Sequence, residues 1–121
     1  MSYLTYIASD FPISASELLW PLSRGGEDIY TEKKYVAEVV PDLKEIEELL
    51  VLLKQLLGKA NEIEIWRIWQ GVESRPVIRS RVISIENLTI EDLRGLEAKD
   101  VANETTTSYE IPVQYRIVVT I

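Results

Sequence analysis

Two tryptophans and two arginines stand near the middle of the chain, on either side of a stretch that predicts a turn. Trp66 and Trp69 precede this turn, and Arg79 and Arg81 follow it. An indole ring stacks on planar or cationic groups, and a guanidinium group binds anions through a planar set of donors. These four residues therefore form a candidate clamp for an anionic or planar ligand.

The alternative is a structural role for the same residues. If residues 62–70 and 77–85 pair as an antiparallel hairpin, Glu64 and Trp66 face the two arginines across the strands. The charged side chains would then form a row of ion pairs on a solvated face, with the tryptophans partly in the core. The sequence favours this structural interpretation. The alternation slips in phase at Trp66 and Arg67, which predicts a bulge or a strand covered on both faces.

Trp20 and Arg24 belong to a second candidate region, residues 10–29, in which the secondary-structure signals are weak. An irregular segment of this length in a small domain is often functional or folds over the surface as a lid. It predicts a ligand pocket between this segment and the open face of the sheet. The favoured alternative is that the segment packs Trp20 and Phe11 into the core.

The chain contains no histidine and no cysteine. Imidazole acid–base chemistry, thiol nucleophiles and zinc–thiolate sites are therefore excluded for its own residues. Among the carboxylate pairs, Glu47 and Glu48 point apart on a helix, and Glu62 and Glu64 share a strand side with arginines nearby. We therefore predict no metal, no cofactor and a role without catalysis.

The net charge of −7 arises from 20 acidic and 13 basic side chains. A nucleic-acid-binding surface is cationic because it meets phosphates, so the charge argues against this class of partner. The longest uninterrupted apolar run, residues 49–53, is too short to span a membrane, and the N-terminus does not resemble a signal peptide. We expect a cytoplasmic protein without membrane association, whose acidity suits a basic protein partner.

A helix over residues 42–58 is the clearest local prediction. Asp42 and Glu45 have the spacing of a capping box, and Gly58 is a natural stop. The apolar residues recur at helical spacing, but their arc is broader than the roughly 100° that packing on one sheet requires. The favoured explanation is that the N-terminal segment covers part of this helix, and the alternative is a subunit contact.

The remaining elements follow from β-branched and aromatic runs and from a second capping box. Thr89 is predicted to cap a short helix, with Asp92 at the box position and Leu88 packed on Leu93 as a hydrophobic staple. The resulting elements are strands over residues 3–9, 30–40, 62–70, 77–85 and 109–121, and helices over residues 42–58 and 90–98.

The order strand, helix, strand, strand, helix, strand over residues 30–121 predicts an α+β, ferredoxin-like split β-α-β fold. Residues 1–29 add an N-terminal strand, expected at a sheet edge, and residues 1–121 are predicted to form one domain. Right-handed crossovers place both helices on one face of the antiparallel sheet. Pro112 lacks the ladder donor, which predicts that the last strand starts at an edge.

Residues 3–10 (YLTYIASD) and 62–69 (EIEIWRIW) resemble segments of a group of short, uncharacterised bacterial proteins. The resemblance implies a bacterial cytosolic origin. It implies no activity, so no site residue is transferred from that group.

These observations favour a non-enzymatic binding or protein-interaction module that self-associates, as a homodimer, through a sheet edge or the broad helix face. The alternative is a small-molecule-binding sensor or enzyme with its pocket between the open sheet face and residues 10–29. The missing catalytic residue types favour the first prediction.

Overall fold

The computed structural model describes residues 3–15, 19–22, 31–39, 46–69, 77–98 and 113–121. In these ranges it has a six-stranded sheet and two helices, which confirms the predicted α+β class. The strands are β1 (Tyr3–Ser9), β2 (Leu19–Pro21), β3 (Tyr35–Val39), β4 (Glu62–Trp69), β5 (Val77–Ser84) and β6 (Val113–Thr120). The helices are α1 (Ile46–Leu57) and α2 (Ile90–Ala98).

The strand order across the sheet is β2-β3-β1-β4-β6-β5. Neighbouring strands are antiparallel, except that β5 and β6 are parallel. The unit β3-α1-β4 is a split β-α-β, because its two strands run in the same direction with β1 between them. The unit β5-α2-β6 joins two adjacent parallel strands through a helical crossover.

Two expectations about the sheet are wrong. Residues 62–70 and 77–85 do not form a hairpin, because β6 lies between β4 and β5. The N-terminal strand is not at an edge, because β1 pairs with β3 on one side and with β4 on the other. A ferredoxin-like arrangement is therefore not confirmed, although the sheet is mostly antiparallel as predicted.

Burial on both sides explains which strands lie inside the sheet. Ile7 and Ala8 point to opposite sides of β1 and are both fully buried. Val118 and Val119 point to opposite sides of β6 and are both buried. By contrast, β5 carries exposed polar residues and lies at an edge. Pro112 is outside the described residues, but the described part of β6 pairs with strands on both sides, so β6 is an interior strand.

The main hydrophobic core lies between the two helices and one face of the sheet, called here the helix face. Leu49, Leu53 and Leu57 recur at helical spacing on α1, and Leu93 of α2 joins the same cluster. Both helices therefore cover one face, as predicted. The strands contribute alternate residues to this core: Ile7, Ala37, Val39, Ile63, Ile65, Tyr115, Ile117 and Val119.

The broad apolar arc of α1 is used mostly within the molecule. Val51 is 53% exposed and lies outside the buried stripe. The helix ends at Leu57, and the amide N–H of the following residue, Gly58, donates to carbonyl oxygens one turn earlier. The predicted cap, Asp42 and Glu45, lies outside the described residues. Three partly buried leucines flank this stripe and pack against the core: Leu50, Leu52 and Leu56.

The predicted capping box at the start of α2 is confirmed. The Oγ1 atom of Thr89 accepts a hydrogen bond from the N–H of Asp92 at 3.3 Å, and Oδ2 of Asp92 accepts one from the N–H of Thr89 at 2.9 Å. Leu88 and Leu93 are both buried in the main core, as a hydrophobic staple requires.

Strand β4 is covered on both faces, which is one of the two explanations for its phase slip. Its pairing with β1 runs without a bulge from Ile63 to Trp69. Ile65 lies in the main core, and Trp66 is buried on the opposite face. Arg67 is buried on the helix face, where a terminal nitrogen donates to Thr5 Oγ1 of β1 at 3.2 Å.

Candidate binding surface

The face of the sheet opposite the helices, called here the open face, carries a second and smaller apolar cluster. Trp66 is fully buried in it, although neither described helix lies on this face. The open face therefore has an apolar centre. The buried members are Tyr6, Ala8, Val36, Trp66 and Ile68, with Leu22 and Ile78 packed against them.

Glu64 and Trp66 are directly linked on the open face. Residues two apart on a strand share a side, and the indole Nε1–H of Trp66 donates to Oε1 of Glu64 at 2.9 Å. Thr31, shortly before β3, donates its hydroxyl to the same carboxylate oxygen. Because Glu64 is only 6% exposed, hydrogen bonds within the protein replace the water that its carboxylate loses on folding.

The arginine that contacts Trp66 is Arg116 of β6. The two residues are cross-strand partners, and the guanidinium carbon lies 5.4 Å from the ring centroid. A terminal nitrogen of Arg116 is 3.9 Å from Oε2 of Glu64, and its Nε–H donates to Ser80 Oγ of β5 at 2.9 Å. Arg116 is not among the residues that the sequence singles out, because this contact depends on the pairing of β4 with β6.

Arg79 and Arg81 lie on β5, two strands away from β4. Arg81 points to the helix side of β5, where its guanidinium donates to Oδ1 of Asp92 in α2 at 2.8 Å. Arg79 shares that side by strand alternation. The predicted proximity of these arginines to Glu64 and Trp66 is therefore wrong, and neither the favoured row of ion pairs nor the candidate clamp forms between these residues.

The other predicted site residues are spread over the molecule. Trp20 is 66% exposed on β2, and Phe11 is 38% exposed, so the expectation that both pack into the core is wrong. Alternation in β2 instead buries Leu19. Trp69 is the last residue of β4, where its Cα partner is Tyr3. Arg24 lies outside the described residues.

The carboxylate of Asp92 connects the cap of α2 with β5. The backbone N–H of Thr89, and then the guanidinium of Arg81, donate hydrogen bonds to it and hold the pKa of Asp92 below its ordinary value. The side chain of Arg81 is nevertheless 55% exposed. Its guanidinium is therefore accessible to a further anion.

The backbone hydrogen bonds of β5 show which of its residues face β6 and which face the outer edge of the sheet. The N–H of Ile85 donates to the carbonyl oxygen of Thr120 at 2.7 Å, which directs the odd-numbered residues toward β6. The carbonyl oxygen of Ser84 instead accepts from the amides of Asn87 and Leu88 in the following turn. Alternate residues in a parallel ladder direct both backbone groups to one neighbour. The even-numbered residues of β5 therefore direct theirs away from the sheet.

Ile78, Ser80 and Val82 are the residues whose backbone groups face outward on β5. No described strand pairs with this side of β5, and the sheet order ends there. The side chains of the same three residues lie on the open side, where Val82 is 69% exposed. Among the described residues, the backbone of this edge is therefore unpaired, and the side chains of Ser80 and Val82 are exposed beside it.

A depression of about 340 Å³ lies at one end of the sheet. The ammonium group of Lys33 donates to Asp10 at 3.2 Å and contacts Glu62 at 3.0 Å. Burial acts to lower the pKa of Lys33, but the hydrogen bonds to Glu62 and Asp10 outweigh it, and the pKa is raised. The lining contains two lysines and two carboxylates, so its formal charges cancel. The lining residues are Asp10, Phe11, Lys33, Lys59, Ala60, Asn61 and Glu62.

The chain matches no protein-family model, no curated protein and no solved structure. The resemblance to a group of bacterial proteins therefore stays a prediction. Within the described ranges, no cluster of three or more acidic residues is placed to hold a metal ion. Neither α1 nor α2 is long and apolar enough to cross a membrane.

Proposed function

We propose that this protein is a non-enzymatic interaction module that binds an extended segment of another protein along the outer edge of β5. One observation carries the proposal. Strand β5 is eight residues long, and in the described structure it is paired on one side only. An unpaired edge of this length offers N–H and C=O groups to an incoming strand, which extends the sheet.

The opposite edge of the sheet is less suited to strand addition. Strand β2 has three residues and ends at Pro21, which has no N–H to donate. Short edge strands and prolines are two means by which proteins prevent unwanted pairing. The sequence of β5, VIRSRVIS, contains neither proline nor glycine. The two edges therefore differ in the way expected if only β5 accepts a partner.

A second copy of the chain is a poor partner for β5. Two-fold pairing of two β5 strands is antiparallel and keeps the arginines of both copies on the same side of the sheet. Any register centred between Arg79 and Arg81 places two of these arginines opposite each other, and like charges in that position are destabilising. Pairing of two β5 strands is therefore disfavoured in these registers, and we expect the homodimer predicted from the sequence to use another surface. It stays a prediction, as do the cytoplasmic location and the basic partner.

The test uses a short synthetic peptide of alternating valine and glutamine, N-methylated along one edge so that it pairs along the other edge only. We expect it to bind the full chain and to slow hydrogen exchange at the amides of Ile78, Ser80 and Val82. The same peptide methylated along both edges should not bind. Binding without protection of β5, or equal binding of the doubly methylated peptide, would contradict the proposal.

Val82→Pro provides the matched test in the protein itself. The N–H of Val82 points outward, so proline removes a donor from the free edge and none from the β5–β6 ladder. We expect the dissociation constant of the peptide to rise about fivefold or more in this variant. Val82→Thr keeps the N–H and loses only part of the apolar contact, so we expect it to weaken binding much less than the proline does. Equal affinities of the two variants would count against pairing at this edge.

A second candidate function is the binding of a small molecule in the depression beside Lys33. Its wall includes Asp10 and Phe11 from the region that the sequence predicts to line a pocket. The balanced charges suit a zwitterion, for which free amino acids are a direct probe. We expect millimolar amino acids to shift the NMR signals of Lys59 and Phe11, and the Lys59→Gln variant to lose this response. NMR spectra that do not change when amino acids are added would contradict this second function.

A further inference from the structure

We infer that the segment bound by β5 is an acidic amphipathic strand, with Asp or Glu at alternate positions and apolar residues between them. This inference rests on the proposed function and names the chemistry of its partner. The inference is based on two kinds of side chain on opposite sides of β5. Arg79 and Arg81 lie on the helix side of the strand, whereas Ile78 and Val82 lie on the open side.

The helix side of β5 presents two guanidinium groups to an added strand. Arg79 and Arg81 stand about 7 Å apart along the strand, the distance between successive side chains on one side. In the described part of the chain, Arg79 has no carboxylate partner, and Arg81 keeps more than half of its side chain exposed while it contacts Asp92. A neighbouring strand would place its own helix-side residues beside both arginines, where carboxylates are the favoured charge.

The open side of β5 presents apolar surface to the same strand. Val82 is 69% exposed, and Ile78 is packed at the margin of the cluster that contains Trp66. Apolar side chains on an added strand would cover Val82 and continue this cluster outward across the sheet. Burial of apolar surface is favourable, so this side selects residues such as valine, isoleucine or leucine.

The two sides together require alternation in the partner. Side chains of a strand point to opposite sides in turn, so acidic and apolar residues must also alternate. A continuous acidic run would place charges against Val82, and a continuous apolar run would leave the guanidinium groups without a counter-ion. The specificity comes from the side chains, because the backbone hydrogen bonds are the same for every sequence.

The net charge of −7 does not prevent this recognition. At physiological ionic strength, charges are screened over about 8 Å, so distant carboxylates contribute little at the contact. Arg79 and Arg81 lie within contact distance of an added strand, and their attraction therefore decides the local preference. Raising the salt concentration should weaken this preference.

The test compares three peptides on the backbone used above, with glutamate, glutamine or lysine at the alternate polar positions. We expect the glutamate peptide to bind about tenfold more tightly than the glutamine peptide, from two ion pairs at a partly exposed edge. The lysine peptide should bind more weakly than both. In the Arg79→Gln, Arg81→Gln double variant, the glutamate and glutamine peptides should bind equally.

Arg94→Gln is the matched control, because it removes one exposed arginine of α2 that contacts Glu91 instead of β5. This variant should keep the preference for glutamate. The outcomes separate the two proposals. Equal affinities of the three peptides for the parent protein would overturn the acidic partner and leave the strand-addition proposal intact. Failure of all three to bind, or binding that Val82→Pro does not weaken, would overturn strand addition itself.

Discussion

The indole N–H of Trp66 donates a hydrogen bond of 2.9 Å to the carboxylate of Glu64, two residues earlier on the same strand. Both residues are buried on the open face: Trp66 is 0% exposed and Glu64 is 6% exposed. The carboxylate is also the acceptor for Thr31 and lies near Arg116. The carboxylate therefore accepts hydrogen bonds from two parts of the chain, and its ion-pair contact with Arg116 adds a third, so it joins β4, β6 and the segment before β3.

Glu64→Ala should destabilise the protein strongly. The substitution leaves the buried N–H of Trp66 without its acceptor and leaves Arg116 without its carboxylate, so we expect the free energy of unfolding to fall by about 2–4 kcal/mol. Urea denaturation measures this change. Glu62→Ala removes a half-exposed glutamate of the same strand and should cost about 1 kcal/mol or less. Similar losses for the two variants would contradict the role given to Glu64.

Asp92 should stabilise the protein in a pH-dependent manner. Its pKa is lowered in the folded state by the N–H of Thr89 and by Arg81. Its contribution is therefore complete above the unfolded pKa of about 3.9 and is lost as the pH falls through the lower folded value. We expect Asp92→Asn to cost about 1 kcal/mol at pH 7 and progressively less below pH ~4. Glu91→Gln, at the exposed neighbour, is the control. A constant difference between parent and Asp92→Asn across this range would contradict the assignment.

Leu53 should be a dominant core residue of α1. It is 1% exposed and belongs to the main core, whereas Val51 is 53% exposed on the same helix. We expect Leu53→Ala to lower the free energy of unfolding by about 2–5 kcal/mol, because a cavity forms that the core fills only in part. Val51→Ala should change it by about 0.5 kcal/mol or less. Chemical denaturation of both variants tests whether α1 packs on the sheet in this orientation.

The arginines of β5 should also oppose pairing between copies of the chain. Removing both charges in the Arg79→Ser, Arg81→Ser double variant leaves a strand edge without like-charge repulsion. We expect this variant to associate at a lower protein concentration than the parent in sedimentation velocity experiments. Arg94→Ser, on α2, should behave as the parent does. The parent in the same experiment tests the homodimer predicted from the sequence, and a strict monomer at high micromolar concentration would contradict that prediction.

Local features were largely predictable from the sequence because they depend on residues close together in the chain. The apolar spacing around Leu49 and Leu53 predicts α1, and Thr89 with Asp92 predicts the start of α2. Alternation along the strand over residues 62–70 places Glu64 and Trp66 on the same side. These patterns reflect the periods of helices and strands and the needs of unpaired helix termini.

The order of the strands was not predictable in this way. A short connection between β4 and β5 suggested a hairpin, yet β6 lies between them. The deciding factor is burial on both faces, which favours β1 and β6 inside the sheet and leaves β5, with Arg79 and Arg81, at the edge. Such a choice depends on all strands competing for the same interior positions, and no single segment contains that information.

The candidate site shows the same division between sequence and tertiary structure. The sequence alone determined that Glu64 and Trp66 share one side of a strand, because side chains alternate. Only the tertiary structure decided that Arg116, and not Arg79 or Arg81, lies against Trp66. Contacts along a strand are set by its own geometry, whereas contacts between strands depend on pairing and register, which the burial of the whole sheet selects.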